Sequence, residues 1–249
     1  MSTYRALKGY SIKKLSSNPT NPKEGQIWYN STTSRIKVQQ SLAGAWVSSN
    51  AKLRLSEGPA TIGSQTGMVA VGGYAPGGHT NAVDEYNGTT YSVAANYPST
   101  NYAGQGGGTS TAGIIAAGNQ TGSTFLNGSY TWDGSSWTSA PNVNKARNGC
   151  ATSIGTATAA LIHGGYDNAS PLAGRDETEE FNGTSWSEQN DLSTGRSHGG
   201  SGGTQTAGIY FCGETTNTGT FNTRCPNTTE EYDGTSWSGG GTVPGNFTR

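Results

Sequence analysis

Apolar residues in this chain come in short runs that recur at nearly even intervals and end in glycine. They cover residues 68–73, 113–118, 160–165 and 208–213. A short continuous apolar run bounded by turn residues is typical of a strand that is buried on both faces. A glycine-rich stretch precedes the runs and is clearest at residues 103–108 and 199–203. The pattern therefore predicts four buried strands, each following a strand of small residues.

A second pattern places an aromatic residue on each side of Asn-Gly or Asp-Gly followed by Ser or Thr. It occurs at residues 85–91, 131–137, 180–186 and 231–237. The closing aromatics, Tyr91, Trp137, Trp186 and Trp237, lie 46, 49 and 51 residues apart. Asn-Gly and Asp-Gly favour a type I′ hairpin turn, in which both central residues have positive φ. Each stretch thus predicts a two-stranded hairpin whose aromatics pair across the strands.

Together the two patterns define one module of four short strands, repeated four times. The modules cover about 53–98, 99–143, 144–192 and 193–249. Repeats of this length, built from a glycine-rich strand, an apolar strand, a longer loop and an aromatic hairpin, predict an all-β fold of propeller blades. We expect the glycine-rich strand to lie nearest the axis and the hairpin aromatics to pack against the next blade.

The diglycine that ends the apolar strand is complete at Gly72-Gly73 and Gly164-Gly165. In the second and fourth modules only Gly118 and Gly213 remain. This alignment places His163 in the same strand position as Val71, Ala117 and Cys212. His163 is therefore interpreted as a strand residue and not as a metal ligand.

Residues 1–52 differ from the rest of the chain in charge and pattern. They carry a net charge of +7, whereas residues 53–249 carry −8. Prolines at 19 and 22 favour an extended arm, and runs at 26–30 and 35–38 predict a β-hairpin around residues 31–34. A third short run follows at 44–47. The charge division suggests a basic arm that docks on an acidic surface, although the charges could equally serve to keep the segment soluble.

Two arrangements of the blades fit the repeats. The C-terminal stretch 243–249 and the N-terminal hairpin could share a fifth blade, which would close the ring in one sheet. Alternatively, four blades close by themselves and residues 1–52 form a separate anchor. We favour the second arrangement because residues 18–30 look like a docking element with its own Trp28 and Tyr29.

The modules resemble kelch-type propeller repeats, in which an apolar strand ending in Gly-Gly is followed by an aromatic and then by a tryptophan. The module from Gly164-Gly165 through Phe181 to Trp186 shows the likeness most completely. The chain as a whole is similar to kelch-like structural proteins of marine tailed phages, particularly of the cyanophage type. The likeness rests on the leader 21-NPKEGQIWYN-30 and on repeat phrases such as 203-GTQTAG-208.

That resemblance implies a virion component, associated with the tail or fibre-like. The partners expected are other virion proteins, tail or capsid, and a host-surface glycan or protein. A trimer would suit a fibre and a hexamer a tail ring, so a homo-oligomer is expected on the particle. The residues expected to anchor the chain are Lys13, Lys14, Trp28 and Tyr29. A decoration protein with a purely structural role is the alternative.

The loops after the apolar strands are the least regular part of each module, and in a propeller they all leave one face. They cover residues 74–82, 119–128, 166–177 and 214–228, and are rich in Asn, Thr, Gly and Tyr, a composition that suits adaptable polar contacts. The candidate binding residues are Tyr74, His79, Asn119, Tyr166, Asp167, Asn217 and Asn222.

Catalysis is the rival function, and we expect no enzyme activity, cofactor or metal. His79, His163 and His198 occupy different repeat positions and form no ligand cluster. Glu179 and Glu180 recur in other modules as strand residues, while Asp176 and Glu177 leave a calcium site as a minor alternative. A glycan-active enzyme is therefore disfavoured.

Composition also bears on nucleic acid, membranes and disulfide bonds. Phosphate-binding clusters with stacking aromatics are not apparent, so no nucleic acid is expected. No apolar run approaches a membrane span, so no membrane insertion is expected. Three cysteines, Cys150, Cys212 and Cys225, lack metal-type spacing, and we expect free thiols, with a Cys212 to Cys225 bridge as the open alternative.

Overall fold

In the computed structural model the chain divides into two compact units, residues 1–49 and 50–249. The structure describes residues 12–19, 26–38, 50–121, 124–149, 154–167, 174–215 and 226–244. All regular elements in these ranges are β-strands, and none of the described residues is helical. The all-β prediction is therefore confirmed, and the two units are described separately below.

The N-terminal unit contains a three-stranded sheet. Its strands are β1 (Lys13–Leu15), β2 (Ile27–Asn30) and β3 (Arg35–Val38). The hairpin β2–β3 confirms the one predicted around residues 31–34. Strand β1 pairs in parallel with β2 and was not predicted, because the prolines that follow it suggested only an extended arm. The predicted run at 44–47 lies outside the described residues.

The second unit contains four antiparallel sheets of four strands, one for each predicted module. The first sheet holds β4 (Ala60–Ser64), β5 (Gly67–Val71), β8 (Val83–Tyr86) and β9 (Tyr91–Val93), with a small hairpin of β6 (Tyr74–Ala75) and β7 (Gly78–His79) between β5 and β8. The second holds β10 (Gln105–Thr109), β11 (Ala112–Asn119), β12 (Phe125–Trp132) and β13 (Trp137–Ala140). The third holds β14 (Ile154–Thr156), β15 (Ala159–His163), β16 (Thr178–Phe181) and β17 (Trp186–Glu188). The fourth holds β18 (Gly200–Thr204), β19 (Ala207–Phe211), β20 (Thr228–Tyr232) and β21 (Trp237–Thr242).

Consecutive sheets pack face to face through apolar clusters. Ile62 and Val71 of the first sheet pack with Ile115 of the second. Ile114 of the second packs with Ile162 of the third. Leu161 of the third shares a cluster with Tyr232 and Trp237 of the fourth. These clusters explain why the second strands of the second and third sheets are apolar on both faces, as predicted, since each of these strands lies between two neighbouring sheets.

The glycine-rich first strands of the sheets face a common space. Residues of β4, β10, β14 and β18 line one cavity of about 270 Å³. Gly106 lies so close to the first sheet that an added Cβ would stand 2.1 Å from the carbonyl oxygen of Thr61. Small residues are therefore required where first strands of successive sheets meet.

A backbone hydrogen bond repeats between successive modules at the end of the second strand. The amides of Gly73, Gly118 and Gly165 donate to the carbonyl oxygens of Asn101, Arg147 and Arg196, respectively, at 2.7–2.9 Å. In each case the donor occupies the second of the two diglycine positions, and the acceptor precedes the first strand of the next module. This bond ties each sheet to the segment that opens the following one.

The closing aromatics of the hairpins pack in the direction opposite to the prediction. The indole Nε1 of Trp137 donates to the carbonyl of Ala95, that of Trp186 to Ser129 Oγ, and that of Trp237 to Thr178 Oγ1. All three acceptors belong to the preceding module. The predicted packing against the next blade is therefore wrong, because the last strand of each sheet turns its aromatic toward the sheet before it.

The aromatic hairpins form as predicted, but their turns are not of type I′. Ring pairs such as Trp132 with Trp137 face each other across the strands, with centroids 4.8 Å apart. Only the glycine of each turn has a positive φ, as at Gly134 with φ 96°. The preceding Asp or Asn instead accepts two backbone N–H groups, as Asp133 does from Ser135 and Ser136. This side-chain acceptor replaces the second positive φ that a type I′ turn would need.

The alignment of the diglycine also needs correction. Ala117 and Cys212 have φ of 58° and 59°, matching Gly72 and Gly164, both at 65°. Ala117 and Cys212 thus occupy the first glycine position. The counterparts of His163 at the end of the apolar strand are consequently Val71, Ala116 and Phe211.

A candidate binding face at the loop end of the sheets

The four sheets share one end at which first strands begin, second strands end and third strands begin, and we call it the loop end. An isolated antiparallel bridge marks it in every module: Glu57 with Tyr74, Tyr102 with Asn119, Asn148 with Tyr166, and Ser197 with Glu214. These bridges extend the first hairpin of each sheet beyond the left-handed glycine position. They hold the loop-end side chains on ordered backbone.

The first aromatic group at this end contains Tyr74, His79 and Tyr102. Tyr74 and His79 are cross-strand partners in the hairpin β6–β7, with ring centroids 5.3 Å apart at 79°. His79 lies 5.5 Å from Tyr102 of the second module, at 38°. Tyr74 is 52% exposed, and the other two rings are half-buried. One group of rings therefore spans the junction of the first two modules.

The second aromatic group, Phe125, Tyr166 and His198, has the same internal geometry. Phe125 and Tyr166 lie 5.3 Å apart at 78°, and Tyr166 and His198 lie 5.3 Å apart at 39°. The rings come from the second, third and fourth modules. His198 is exposed, while Phe125 and Tyr166 are half-buried. An edge contact followed by a tilted contact thus occurs twice along the loop end.

Two glycines at matching repeat positions make room for these rings. Gly58 and Gly149 have φ of 57° and 59°. A Cβ on Gly58 would lie 2.5 Å from the Tyr102 ring, and one on Gly149 would lie 2.7 Å from Nε2 of His198. Glycine is needed at both positions for the left-handed backbone and for the close approach of the rings.

Carboxylates and paired cations lie near the two aromatic groups. Glu57 forms the backbone bridge to Tyr74, and Glu214 lies near Tyr166. The guanidinium of Arg175 forms an ion pair with Asp167, and this hydrogen bond raises the pKa of Arg175. Lys52 and Arg54, in the segment that precedes Glu57, pair with the buried Asp84. Burial raises the pKa of the Tyr166 hydroxyl. The described part of the loop end therefore combines aromatic rings, carboxylates and cations held in ion pairs.

The predicted binding residues have different positions in the structure. Tyr74, His79 and Tyr166 belong to the aromatic groups, and Asp167 is held in the ion pair beside them. Asn119 is the last residue of β11 and only 5% exposed, so it lies within the sheet and not in the loop. Asn217 and Asn222 lie outside the described residues.

Sequence reasoning did not name Tyr102, Phe125 or His198 as binding residues, although Phe125 lies in the predicted loop 119–128. Tyr102 and His198 stand just before the glycine-rich strands, and Phe125 opens β12. The predicted binding loops all follow the apolar strands, whereas the segment before the first strand reaches the same end. Its left-handed position is filled by Gly58, Ala103, Gly149 and His198, and only the two glycines could have indicated it in the sequence.

The carboxylates of the third strands are structural. Glu179 accepts a hydrogen bond from the buried guanidinium of Arg147 at 2.7 Å, and Glu230 is paired in the same way with Arg196. Glu180 accepts from the Tyr232 hydroxyl at 2.9 Å. Within the described ranges, no three His, Cys, Asp or Glu side chains form a group that could hold a metal ion.

His163 is fully buried between the third and fourth sheets. Its ring lies 4.8 Å from that of Tyr210 and 4.7 Å from that of Trp237, and neither ring nitrogen has a hydrogen-bond partner in the described part of the chain. Burial, together with the positive charges of Arg147 and Arg196, lowers its pKa to about 3. His163 is thus a neutral strand residue at ordinary pH. Cys212 is a free thiol, while Cys150 and Cys225 lie outside the described residues.

The predicted anchoring residues lie together in the N-terminal sheet. Lys13 is the register partner of Trp28, and Lys14 that of Tyr29. Trp28 is 4% exposed and its indole donates to Asn18 Oδ1 at 3.4 Å, whereas both lysines are exposed. Of the two aromatics, only Tyr29 keeps appreciable surface.

A comparison of the chain with models of protein families finds no match, and neither does a comparison with curated proteins. None of the described elements is a helix of the length and apolarity that crossing a bilayer requires.

Proposed function

We propose that residues 53–249 form a kelch-like β-propeller of about four blades. Support comes from the four equivalent sheets, their packing in chain order and the cavity shared by their first strands. The recurring bond from the last glycine of one module to the opening segment of the next fits blades arranged about an axis.

We further propose that the protein is a structural component of a phage virion. In this proposal it acts as a tail-associated fibre or adhesin, anchored through its N-terminal unit, and its loop end binds the host surface. The leader and repeat phrases that resemble those of marine phage proteins support the virion assignment. The observation that carries the binding role is the pair of aromatic groups at the loop end, because rigid amphipathic rings are favoured in contact surfaces.

Binding to intact cyanobacterial cells tests the adhesin role. The full chain is compared with the double variant Tyr74→Ala/Tyr166→Ala, which removes one exposed ring from each group. Val93→Ala serves as control, because Val93 is 60% exposed on the edge strand β9 of the first sheet and belongs to neither aromatic group. We expect the wild type and the control to be retained by the cells and the double variant to be released.

Two outcomes would contradict the adhesin role. One is that no cell type retains the wild-type protein. The other is that the double variant is retained as well as the wild type. Either outcome, combined with high copy number on the particle, would favour a decoration protein.

A further inference from the structure

Asn119 lies between the two aromatic groups of the loop end and links them through the backbone. Tyr102 exchanges two backbone hydrogen bonds of 2.8 Å with Asn119, and Asn119 is the cross-strand partner of Phe125. Neighbouring strands lie about 4.8 Å apart, so the backbones of Tyr102 and Phe125 are separated by about 10 Å. The six rings therefore follow one another across all four modules. We call the row Tyr74, His79, Tyr102, Phe125, Tyr166 and His198 the aromatic track.

Spacing within the track suits an extended polymer. Neighbouring rings within each group lie 5.3–5.5 Å apart, and the same edge-then-tilted arrangement occurs twice. A compact small molecule would contact one group only. A linear chain of planar or saturated rings could place successive units against both groups.

Charge distinguishes the two classes of polymer that stack on aromatic rings, which are nucleic acids and polysaccharides. Nucleic acid binding needs cationic side chains along the backbone, since phosphate contacts supply most of its affinity. In the described part of the loop end, Glu57 lies beside Tyr74 and Glu214 near Tyr166, while Arg175 is already paired with Asp167, and Lys52 and Arg54 with Asp84. Arg147 and Arg196 are buried in their own ion pairs. An acidic surround repels phosphodiester chains and sulfated or uronic polysaccharides alike.

We propose that the aromatic track binds a neutral linear polysaccharide, with one stacking subsite at each aromatic group. Pyranose rings present an apolar face of C–H groups that packs on aromatic rings, while their hydroxyls donate to the surrounding carboxylates. This inference rests on the proposed adhesin role and names the ligand class of the same site.

Calorimetric titration with defined oligosaccharides tests the inference. The probes are neutral hexasaccharides and trisaccharides of β-1,4-linked glucose, mannose and galactose, with a uronic acid hexamer and heparin as anionic probes. We expect at least one neutral hexasaccharide to bind, and its trisaccharide to bind at least about tenfold more weakly because it reaches only one group. Tyr74→Ala and Tyr166→Ala should each weaken hexasaccharide binding by about tenfold.

Conservative variants separate stacking from folding. Tyr74→Phe and Tyr166→Phe keep the rings and should bind the hexasaccharide as the wild type does, as should Val93→Ala. The inference is overturned if an anionic probe binds more tightly than every neutral one, if no probe binds, or if Tyr166→Ala binds as tightly as wild type. Retention by cells without binding to any neutral probe would overturn this inference alone, whereas loss of cell retention would overturn the adhesin role as well.

Discussion

Arg147 and Glu179 form an ion pair of 2.7 Å whose side chains are 1% and 0% exposed. Arg147 belongs to the segment that opens the third module, and Glu179 lies on the third strand of that module's sheet. Arg196 and Glu230 repeat the arrangement one module later. In the first module Asp84 takes the carboxylate position and pairs with the more exposed Arg54 at 3.0 Å. The pair holds the opening segment, which carries loop-end residues, against the sheet of the same module.

Removing one member of this pair should destabilise the protein strongly. Arg147→Met leaves the Glu179 carboxylate buried without its partner, and we expect a loss of about 3–5 kcal/mol in the free energy of unfolding. Chemical denaturation measures this loss. The double variant Arg147→Met/Glu179→Leu should recover most of it, and Arg54→Met should cost less, because Arg54 is 37% exposed and Lys52 also lies 3.9 Å from the buried Asp84 carboxylate. Equal losses for Arg147→Met and Arg54→Met would contradict the structural role assigned to the buried pair.

His163 should make the fold sensitive to acid. In the unfolded chain its imidazole takes up a proton below the ordinary pKa of 6.5, whereas in the folded protein it stays neutral down to a pKa of about 3. The free energy of unfolding therefore has its full value with respect to His163 above pH 6.5. Below that pH it falls by about 1.4 kcal/mol per pH unit. Unfolding free energies measured between pH 7 and pH 4 should fall less steeply for His163→Leu than for the wild type. A wild-type slope in His163→Leu would refute the prediction.

Cys212 holds a backbone conformation that favours glycine. With φ of 59° it occupies the position filled by Gly164 in the third module. Cys212→Gly should raise the free energy of unfolding by about 1 kcal/mol, because the left-handed conformation costs an L-residue roughly that amount. The reciprocal change Gly164→Ala should destabilise by more than about 1 kcal/mol, since its Cβ would lie 2.6 Å from the carbonyl oxygen of Arg196. Thermal melts of both variants check the pair, and a lower melting temperature for Cys212→Gly would contradict the alignment.

Asp133 should stabilise its turn as a charged acceptor. Hydrogen bonds from the backbone and side chains of Ser136 and Ser135 lower the pKa of its carboxyl. Its contribution is therefore present above the unfolded pKa of 3.8 and is lost as the pH falls below it. Asp133→Ala should lower the melting temperature at pH 7. Asp133→Asn reproduces the residue found at Asn87 and Asn182, so it should keep the turn and remove the contribution of Asp133 to the pH dependence of stability. Equal melting temperatures for the Ala and Asn variants at pH 7 would show that the side-chain acceptor does not stabilise the turn.

The periodic parts of the fold could be predicted from the sequence because they depend on local residue types. Apolar runs ending in glycine and hairpins closed by aromatics specify four strands per module, and those sheets form in the predicted order. The direction in which Trp186 packs could not be predicted. Strand alternation shows that the side chain leaves one face of its sheet, but it does not show whether that face meets the preceding or the following sheet. The φ of Ala117 was missed because alanine gives no sign of a left-handed backbone.

The candidate site was predicted in part for a similar reason. Tyr74 and Tyr166 follow the apolar strands and were found by loop position alone. Tyr102 and His198 reach the same end from the segment before the first strand, and only the pairing of that segment with the end of the second strand brings them there. Asn119 has the composition expected of a binding loop, yet strand β11 continues far enough to bury it.

In the proposed adhesin, the N-terminal unit anchors the protein and the loop end binds the host surface. Two full-length double variants test this division: Lys13→Glu/Lys14→Glu at two exposed positions of β1, and Tyr74→Ala/Tyr166→Ala in the aromatic track. Each is assayed for docking to a purified tail subassembly and for retention by intact cells. We expect the lysine variant to lose docking alone and the tyrosine variant to lose cell retention alone. Loss of docking in the tyrosine variant, with the lysine variant unaffected, would overturn this division and make the loop end a contact within the virion.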